Sequence, residues 1–253
     1  MRLDTYLVDN GYYKSRETAK LAISKGLVKV DGKVITKPSY DYNSGVIEVD
    51  EPLKFVSRGG YKLESAINNF YLDFKDKVIV DIGSSTGGFT DCSLQNGAKY
   101  VYAIDVGTDQ LDSKLLNDDR VCSLEETNFL DIEGFDTHID YYVTDVSFIS
   151  VKIILKHLDE MDAQDIIILI KPQFEVDNKL LNKNGVLKDM SKHYDVLKDM
   201  NSYINSINYK IHKIIPSPIK GKSGNIEYLA YVKRNSNSNI DLYNAIKKAF
   251  GDD

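Results

Sequence analysis

The sequence has no long hydrophobic run. Its longest purely apolar stretch is Ile166–Ile170, whereas a helix that crosses a membrane needs about 18 such residues. Met1–Lys20 contains no apolar core, so a secretory signal peptide is not expected. These absences predict a protein without a membrane span and a cytoplasmic location.

Cysteine and histidine are both scarce. The two cysteines, Cys92 and Cys122, fall in segments predicted as a buried helix and a strand, which excludes a disulfide scaffold and fits a reducing compartment. The four histidines are scattered and show neither metal-ligand spacing nor partner cysteines: His138, His157, His193 and His212. No metal site is therefore expected.

Basic residues are fewer than acidic ones, with 32 Lys and Arg against 38 Asp and Glu and a net charge of −6. Such an average argues at first sight against a nucleic-acid partner. The charge is uneven, however, because the first forty residues hold eight basic and four acidic residues and so carry +4, which leaves −10 for the rest. A chain of 253 residues also has the length of one large or two unequal domains. The sequence therefore predicts a small basic N-terminal region and a large acidic one.

The first fifty residues predict two helices and a small sheet. Ser15 can cap the second helix and Gly26 can end it. Asp31-Gly32 is a strong hairpin-turn signal between two short strands. The predicted elements are a first helix around Leu3–Val8, a second helix over Arg16–Lys25, and strands at Val28–Val30, Val34–Ile35 and Val46–Val49. On charge alone, the basic side chains here would be interpreted as a solvated helix face.

The spacing within this region is more specific than its charge, and it resembles the RNA-binding module first described in ribosomal small-subunit protein S4. The resemblance covers about residues 1–50 and rests on Arg2-Leu3-Asp4, Leu7, Ser15-Arg16, Ala19, Ile23, Gly26, Val28, Val30-Asp31-Gly32 and Lys37-Pro38-Ser39. It implies a helix-and-hairpin surface that recognises folded RNA by its shape and phosphates. The candidate RNA-binding residues are Arg2, Lys14, Arg16, Lys20, Lys25 and, in the connection that follows, Arg58.

The rest of the chain alternates strands with helices. Predicted strands are Val78–Ile82, Tyr100–Asp105, Arg120–Leu124, Tyr141–Val146, Ile166–Lys171, Tyr209–Ile215 and Tyr228–Arg234, and predicted helices are Tyr61–Tyr71, Gly88–Asn96, Ser150–Met161, Ser191–Ser206 and Asp241–Phe250. Such interleaving predicts an α/β fold with a doubly wound, mostly parallel, Rossmann-like sheet. The expected organisation is a small α+β domain at residues 1–52, a flexible linker at 53–60 and a large domain at 61–253.

A glycine-rich loop joins the first strand of the large domain to its first following helix. Its spacing, Gly83-x-x-x-Gly87-Gly88, differs from the Gly-x-Gly-x-x-Gly that admits a dinucleotide pyrophosphate. Asp105 ends the next strand, where a carboxylate can accept hydrogen bonds from ribose hydroxyls. A nicotinamide cofactor and S-adenosylmethionine both carry adenosine, so Asp105 alone does not indicate which of the two binds. The loop spacing favours S-adenosylmethionine, whose α-amino group suits Asp81, over a nicotinamide or a plain tight turn.

The loop, with Asp105-Val106-Gly107 and Glu126-Thr127-Asn128, resembles the class I methyltransferases. That resemblance implies that S-adenosylmethionine is the cofactor and that Asn128, after the third strand, contacts the adenine ring. The candidate cofactor-binding residues are Asp81, Gly83, Ser85, Gly87, Gly88, Phe89, Asp105, Val106, Asn128 and Asp145.

Four ionisable residues form a candidate catalytic set: Lys62, Asp145, Lys171 and Glu227. Asp145 and Lys171 follow predicted strands, at the sheet edge where ligands bind in such folds. Any one of them alone would be interpreted as a salt bridge at a strand end. Together they can act on a ribose hydroxyl, because a lysine becomes a base when burial and a neighbouring ammonium disfavour its charged form. The carboxylates would then orient the two lysines and offset their charge.

This Lys–Asp–Lys–Glu order resembles the tetrad of the FtsJ-like ribose 2′-O-methyltransferases. With the N-terminal module, nearly the whole chain resembles the TlyA, or haemolysin A, family, through Ser57-Arg58-Gly59-Gly60-Tyr61-Lys62-Leu63, Asp145-Val146-Ser147-Phe148-Ile149-Ser150, Lys171-Pro172-Gln173-Phe174-Glu175, Ser217-Pro218-Ile219 and Gly224-Asn225-Ile226-Glu227-Tyr228. The family implies methylation of cytidine 2′-hydroxyls in ribosomal RNA, within ribosomal subunits, with S-adenosylmethionine as the methyl donor. His193 also matches a family position; it has no evident chemical role, and a half-buried helix position is expected for it.

Three other functions stay open at this stage. A membrane-lytic protein is suggested only by the older family name, and the sequence offers neither an apolar span nor a strongly basic amphipathic helix. A non-catalytic RNA-binding ribosome factor is disfavoured by the intact tetrad, and a nicotinamide oxidoreductase by the loop spacing. The modified nucleotide, the ribosomal subunit and the oligomeric state are left open, with a monomer favoured.

Overall fold

A computed structural model describes residues 1–50, 54–234, 236, 238 and 240–251. The chain divides into two compact units, Met1–Lys54 and Phe55–Asp253. The expected boundary between residues 52 and 53 lies outside the described residues. Residues 55–60, expected to be part of a flexible linker, belong to the second unit: Phe55 is buried in its core, and its first helix already begins at Gly59.

The first unit has two helices and a three-stranded antiparallel sheet. Its elements are α1 (Leu3–Asp9), α2 (Arg16–Ser24), β1 (Val28–Val30), β2 (Lys33–Ile35) and β3 (Ile47–Val49), with strand order β2-β1-β3. Ser15 and Thr18 form a reciprocal capping box that begins α2. Asp31 and Gly32 both have positive φ, 49° and 74°, and make the tight turn between β1 and β2.

The second unit is a seven-stranded sheet covered by helices. Its elements are α3 (Gly59–Phe70), β4 (Val78–Ile82), α4 (Gly88–Gln95), β5 (Tyr100–Ile104), α5 (Ser113–Leu116), β6 (Val121–Leu124), β7 (Tyr141–Thr144), α6 (Val151–Glu160), β8 (Asp165–Ile170), α7 (Met190–Ser206), β9 (Tyr209–Pro216), β10 (Tyr228–Arg234) and α8 (Leu242–Phe250). Short 3-10 helices lie at Phe129–Asp131, Pro172–Phe174 and Asn178–Leu180. The short α5 and the 3-10 helices were not predicted.

The strand order is β6-β5-β4-β7-β8-β10-β9. Strands β4 to β8 pair in parallel with their neighbours, whereas β10 is antiparallel to both β8 and β9. The predicted doubly wound, mostly parallel α/β sheet is therefore confirmed. The chain first adds strands on one side of β4 and then on the other, which opens a ligand-binding crevice at the carboxyl ends of β4 and β7.

Strand β8 shows why the apolar run in the sequence is a buried strand. Ile166, Ile168 and Ile170 belong to the core on one face of the sheet, and Ile167 and Leu169 to the core on the other. A central strand of a sheet with helices on both sides is covered on both faces, so it needs apolar residues at every position. Among the residues that the structure describes, no helix has the length and apolar character needed to span a bilayer.

Candidate functional site

The sheet topology brings three of the predicted catalytic residues to one edge. Asp145 directly follows β7 and Lys171 directly follows β8, and these parallel strands end on the same side. Strand β10 runs the other way, so its first residue, Tyr228, lies opposite Ile170, the last residue of β8. Glu227, one residue before β10, therefore sits beside Lys171.

Lys62 completes the set from the fourth residue of α3 and joins the others in a chain of ion pairs. Its Nζ lies 2.8 Å from Glu227 Oε2 and 3.4 Å from Asp145 Oδ2. Asp145 Oδ1 lies 2.6 Å from Lys171 Nζ. The side chains of Glu227, Lys171 and Lys62 are only 3%, 9% and 11% exposed. Two buried cations are thus matched by two carboxylates, which offsets the cost of taking them out of water.

Two polar residues that sequence reasoning missed extend this chain at both ends. Lys171 Nζ donates to Ser147 Oγ at 2.7 Å, and Gln173 Nε2 donates to Glu227 Oε1 at 3.1 Å. Each stands two residues after a predicted catalytic residue, in a loop that leaves a strand end. Both stand in segments that carry the family resemblance, but neither was singled out there as a site residue.

Glu175 ties the loop after β8 to the loop after β7. Its carboxylate accepts hydrogen bonds from the Ser150 hydroxyl at 2.5 Å and from the Val151 N–H at 2.8 Å, at the start of α6. Burial raises the pKa of Glu175 above its ordinary value. The two loops that carry Asp145 and Lys171 are therefore held together by a carboxylate that also caps a helix.

Three residues predicted to contact the cofactor also pack closely against neighbouring parts of the second unit. A Cβ at Gly87 would lie 2.2 Å from Leu115 Cδ1 of α5, and one at Gly88 would lie 2.3 Å from Ser57 Oγ. The side chain of Phe89 is buried in the core beneath α4. The first turn of α4 thus packs against α5 and the residues that precede α3, and the contact of these three residues with a cofactor stays a prediction.

Asp81, at the end of β4, is the most unusual acid of the site. It is fully buried, and its Oδ2 accepts a hydrogen bond from the Thr90 hydroxyl at 2.7 Å. Its Oδ1 has no hydrogen-bond partner among the described residues. Burial raises the pKa of Asp81 to about 7, and the nearby carboxylates of Asp145 and Asp105 add to that rise.

The remaining predicted cofactor residues lie along the same edge. Asp105 Oδ2 accepts the Ser85 N–H and its Oδ1 accepts the Gly107 N–H, both at 2.8 Å. Val106 is 73% exposed, an open apolar side chain directly after that carboxylate. Asn128 is exposed, and its Oδ1 accepts the Leu130 N–H at 3.2 Å.

Gly83 allows the cofactor loop to lie close to the loop after β7. Its φ is +81°, and a Cβ there would meet Val146 Cγ1 at 3.2 Å and the main chain of Asp145 at 3.4 Å. Three carboxylates thus lie at the ends of three neighbouring strands: Asp81 is the penultimate residue of β4, and Asp105 and Asp145 directly follow β5 and β7. This set of acceptors fits a ligand that carries positive charge and ribose hydroxyls.

His193 has a structural environment. It is fully buried in α7, where its ring nitrogens lie 3.0 Å from Tyr228 Oη and 3.1 Å from the Leu187 carbonyl oxygen. Burial lowers the pKa of His193. The residue joins α7 to the start of β10, next to Glu227, and is more deeply buried than a half-buried helix position.

Two of the six predicted RNA-binding residues, Arg2 and Arg16, are paired with one buried carboxylate of the first unit. Arg2 Nε lies 2.9 Å from Asp4 Oδ1, and Arg16 Nη2 lies 3.0 Å from Asp4 Oδ2. Asp4 is fully buried, and the Arg2 hydrogen bond, followed by that of Arg16, holds the pKa of its carboxyl well below the usual range. Arg58 belongs to the second unit, where its guanidinium lies 3.5 Å from the Lys220 carbonyl oxygen.

The other three predicted RNA-binding residues, Lys14, Lys20 and Lys25, are exposed on the first unit. Lys14 precedes α2, Lys20 lies within it and Lys25 directly follows it. Unlike Arg2 and Arg16, their ammonium groups are not paired with the buried Asp4. They are therefore the predicted residues best able to contact a phosphate from this unit.

Comparison with known proteins gives matches over both units. The FtsJ-like methyltransferase family matches residues 55–234, and the S4 domain matches residues 1–47. Hemolysin A of Brachyspira hyodysenteriae is 44% identical over 239 residues, which cover 91% of this chain and 99% of that protein. The 16S/23S rRNA (cytidine-2′-O)-methyltransferase TlyA of Mycobacterium tuberculosis strain H37Rv is 35% identical over 92% of this chain and 89% of its own length.

A solved structure gives the same result for the fold. A protein from Streptococcus thermophilus, named provisionally as a hemolysin, is 37% identical and has a TM-score of 0.76, covering 100% of this chain and 96% of its own. Together with the tetrad at the carboxyl edge of the sheet, these similarities show that the chain belongs to the TlyA (haemolysin A) family of FtsJ-like methyltransferases, with an S4 domain at its N-terminus.

Proposed function

We propose that this protein methylates ribose 2′-hydroxyls of ribosomal RNA, with S-adenosylmethionine as the methyl donor. The observation that most directly supports this proposal is the buried chain of ion pairs Lys171–Asp145–Lys62–Glu227. It lies at the edge of the sheet from which the glycine-rich loop after β4 also extends. The name of the M. tuberculosis relative specifies cytidine in 16S and 23S RNA. We propose cytidine within ribosomal subunits as the target class here as well.

The cofactor would lie along the ends of β4, β5 and β6. Asp81 Oδ1, buried without a partner among the described residues, suits the α-amino group, and Asp105 suits the ribose hydroxyls. Val106 and Asn128 would contact the adenine, and Gly83 and Ser85 would form the loop beneath it. When bound, S-adenosylmethionine supplies an electrophilic methyl group on a positively charged sulfur.

The tetrad would hold the acceptor hydroxyl and manage its proton. Lys171 is the residue assigned to the hydroxyl: once its ammonium has released a proton to solvent, it would accept the proton that the hydroxyl loses. Asp145 contacts both lysine nitrogens and fixes their positions, while Glu227 holds Lys62 from the other side. General base action of this kind contributes about two to four orders of magnitude in rate.

The first unit would supply RNA binding. Its match to the S4 domain and the exposed Lys14, Lys20 and Lys25 support contacts to RNA phosphates. We therefore assign recognition to Met1–Lys54 and catalysis to the second unit, which begins at Phe55. An acidic protein can bind RNA in this way because one module carries the basic surface.

Replacing Lys171 by alanine tests this function. Purified protein is incubated with methyl-labelled S-adenosylmethionine and ribosomal subunits from cells that lack the enzyme, and 2′-O-methylation is mapped along the RNA. We expect K171A to lose at least about a hundredfold in rate, in line with the loss of a general base. The matched control is K179A, because Lys179 is an exposed lysine of a 3-10 helix outside the tetrad.

Two results would contradict parts of this assignment. Methylation by K171A near the wild-type rate would show that Lys171 is not the base. A wild-type protein that binds both S-adenosylmethionine and ribosomal subunits but leaves the RNA unmethylated would instead support a non-catalytic ribosome factor.

A further inference from the structure

The Lys171 ammonium has three close oxygen partners. Its Nζ lies 2.6 Å from Asp145 Oδ1, 2.7 Å from Ser147 Oγ and 3.4 Å from the Asp145 carbonyl oxygen. A lysine ammonium has three N–H donors and no more. The three oxygens, all in the loop that follows β7, therefore equal the N–H donors of Lys171 in number.

An incoming hydroxyl can reach Lys171 only if one of these partners leaves. The Asp145 carbonyl belongs to the main chain, and the Asp145 carboxylate also holds Lys62. Ser147, by contrast, is a neutral side chain that can turn away by rotating a single staggered torsion. Ser147 is thus the partner that costs least to displace.

Ser147 also lies on the accessible side of the buried lysine. The Lys171 side chain is only 9% exposed, whereas Ser147 is exposed to solvent. An RNA ribose approaching from solvent therefore meets Ser147 before it meets Lys171. The group that it meets is an alcohol oxygen, which is the same hydrogen-bonding group as a ribose 2′-hydroxyl.

We propose that Ser147 Oγ occupies the subsite of the acceptor hydroxyl and is displaced when the RNA ribose binds. This inference rests on the proposed function, because it assumes that Lys171 receives a ribose hydroxyl. Ser147 is then a positioning residue: it keeps the Lys171 ammonium hydrogen-bonded and oriented in the free enzyme. When the acceptor binds, the hydrogen bond between Lys171 and Ser147 breaks, and the acceptor hydroxyl forms a hydrogen bond to Lys171 in its place.

The test separates binding from the chemical step in S147A, S147T and the control S202A. Ser202 is an exposed serine in α7 whose hydroxyl donates to the Lys198 carbonyl, so S202A removes a comparable hydroxyl away from the tetrad. For each full-length protein, KM for ribosomal subunits and the single-turnover rate at saturating subunits are measured with labelled S-adenosylmethionine. Thermal unfolding of each variant checks that it is folded.

We expect S147A to lower KM for the subunits by about two- to tenfold, the range that corresponds to one net hydrogen bond. Its single-turnover rate should stay within about twofold of wild type, and S147T, which keeps the hydroxyl, should retain the wild-type KM. An unchanged KM in S147A, or a tenfold slower single turnover, would overturn the proposal. Methylation by wild type and S202A tests the proposed function separately, so the S147A comparison reports on Ser147 itself.

Discussion

At the scale of single residues, Asp81 is an acid of the candidate site whose protonation is strongly altered by the fold. Burial raises its pKa to about 7, whereas an ordinary aspartate titrates near 4. Between these values the folded protein holds a proton that the unfolded chain has released. The free energy of unfolding should therefore fall as pH rises across this window, by the contribution of this group.

The same titration predicts a pH-dependent affinity for the cofactor. If the charged Asp81 binds the α-amino group of S-adenosylmethionine, affinity should increase as pH rises from 6 to 8, by up to about tenfold, because the carboxylate form becomes populated. The D81N variant cannot ionise at this position, so it should bind more weakly and lose this pH dependence. Calorimetric titration of both proteins with S-adenosylmethionine checks this, and an equal pH slope in D81N would contradict it.

At the scale of elements, the loop after β7 presents an exposed aromatic ring beside the tetrad. Phe148 is 88% exposed and has a φ of +68°, a backbone conformation that bulky residues rarely adopt. Its ring centroid lies 5.3 Å from that of Phe174, whose ring lies 5.8 Å from Lys171 Nζ. Strained residues often mark functional sites, and an exposed ring here is suited to stack on the base of the acceptor nucleotide.

Replacing Phe148 by alanine should therefore weaken RNA binding and leave cofactor binding intact. Stacking on an aromatic side chain is worth about 1–3 kcal/mol per base, so KM for ribosomal subunits should rise by about 5- to 150-fold in F148A. Tyr71 offers a matched control, because it is 86% exposed with a φ of 57° but stands at the opposite end of α3 from Lys62. Equal effects of F148A and Y71A on KM would contradict a specific role for Phe148.

The tetrad and the glycine-rich loop show how far elements can be predicted from the sequence. Asp145 and Lys171 could be predicted because each directly follows an apolar segment that is recognisable as a buried strand. The carboxyl ends of parallel strands lie at one edge of the sheet, which places the two residues together. Ser147 was missed because its contact with Lys171 depends on how two loops fold against each other. The packing of Gly87 against Leu115 was not predicted, because Leu115 lies in a helix of four residues, which is too short to show a period.

At the scale of the whole molecule, the net charge of −6 combines +4 over the first forty residues with −10 over the rest. Over the whole first unit, residues 1–54, nine basic and eight acidic residues leave only +1. In the first unit, the buried Asp4 engages both Arg2 and Arg16, which offsets part of their charge. Lys14, Lys20 and Lys25 remain exposed and are the residues that we expect to contact RNA phosphates. The basic surface for RNA is thus smaller than the count of basic residues in this unit.

The triple variant K14A/K20A/K25A tests whether these three lysines of the first unit bind RNA. We expect weaker binding to ribosomal subunits and a salt dependence whose slope falls by about one for each phosphate contact removed, with S-adenosylmethionine affinity unchanged. The control K198A/K247A/K248A removes the same charge from exposed lysines of α7 and α8. Subunit binding is measured over a series of salt concentrations. Equal losses in the two triple variants would mean that the total charge of the protein, and not the surface of the first unit, governs RNA binding.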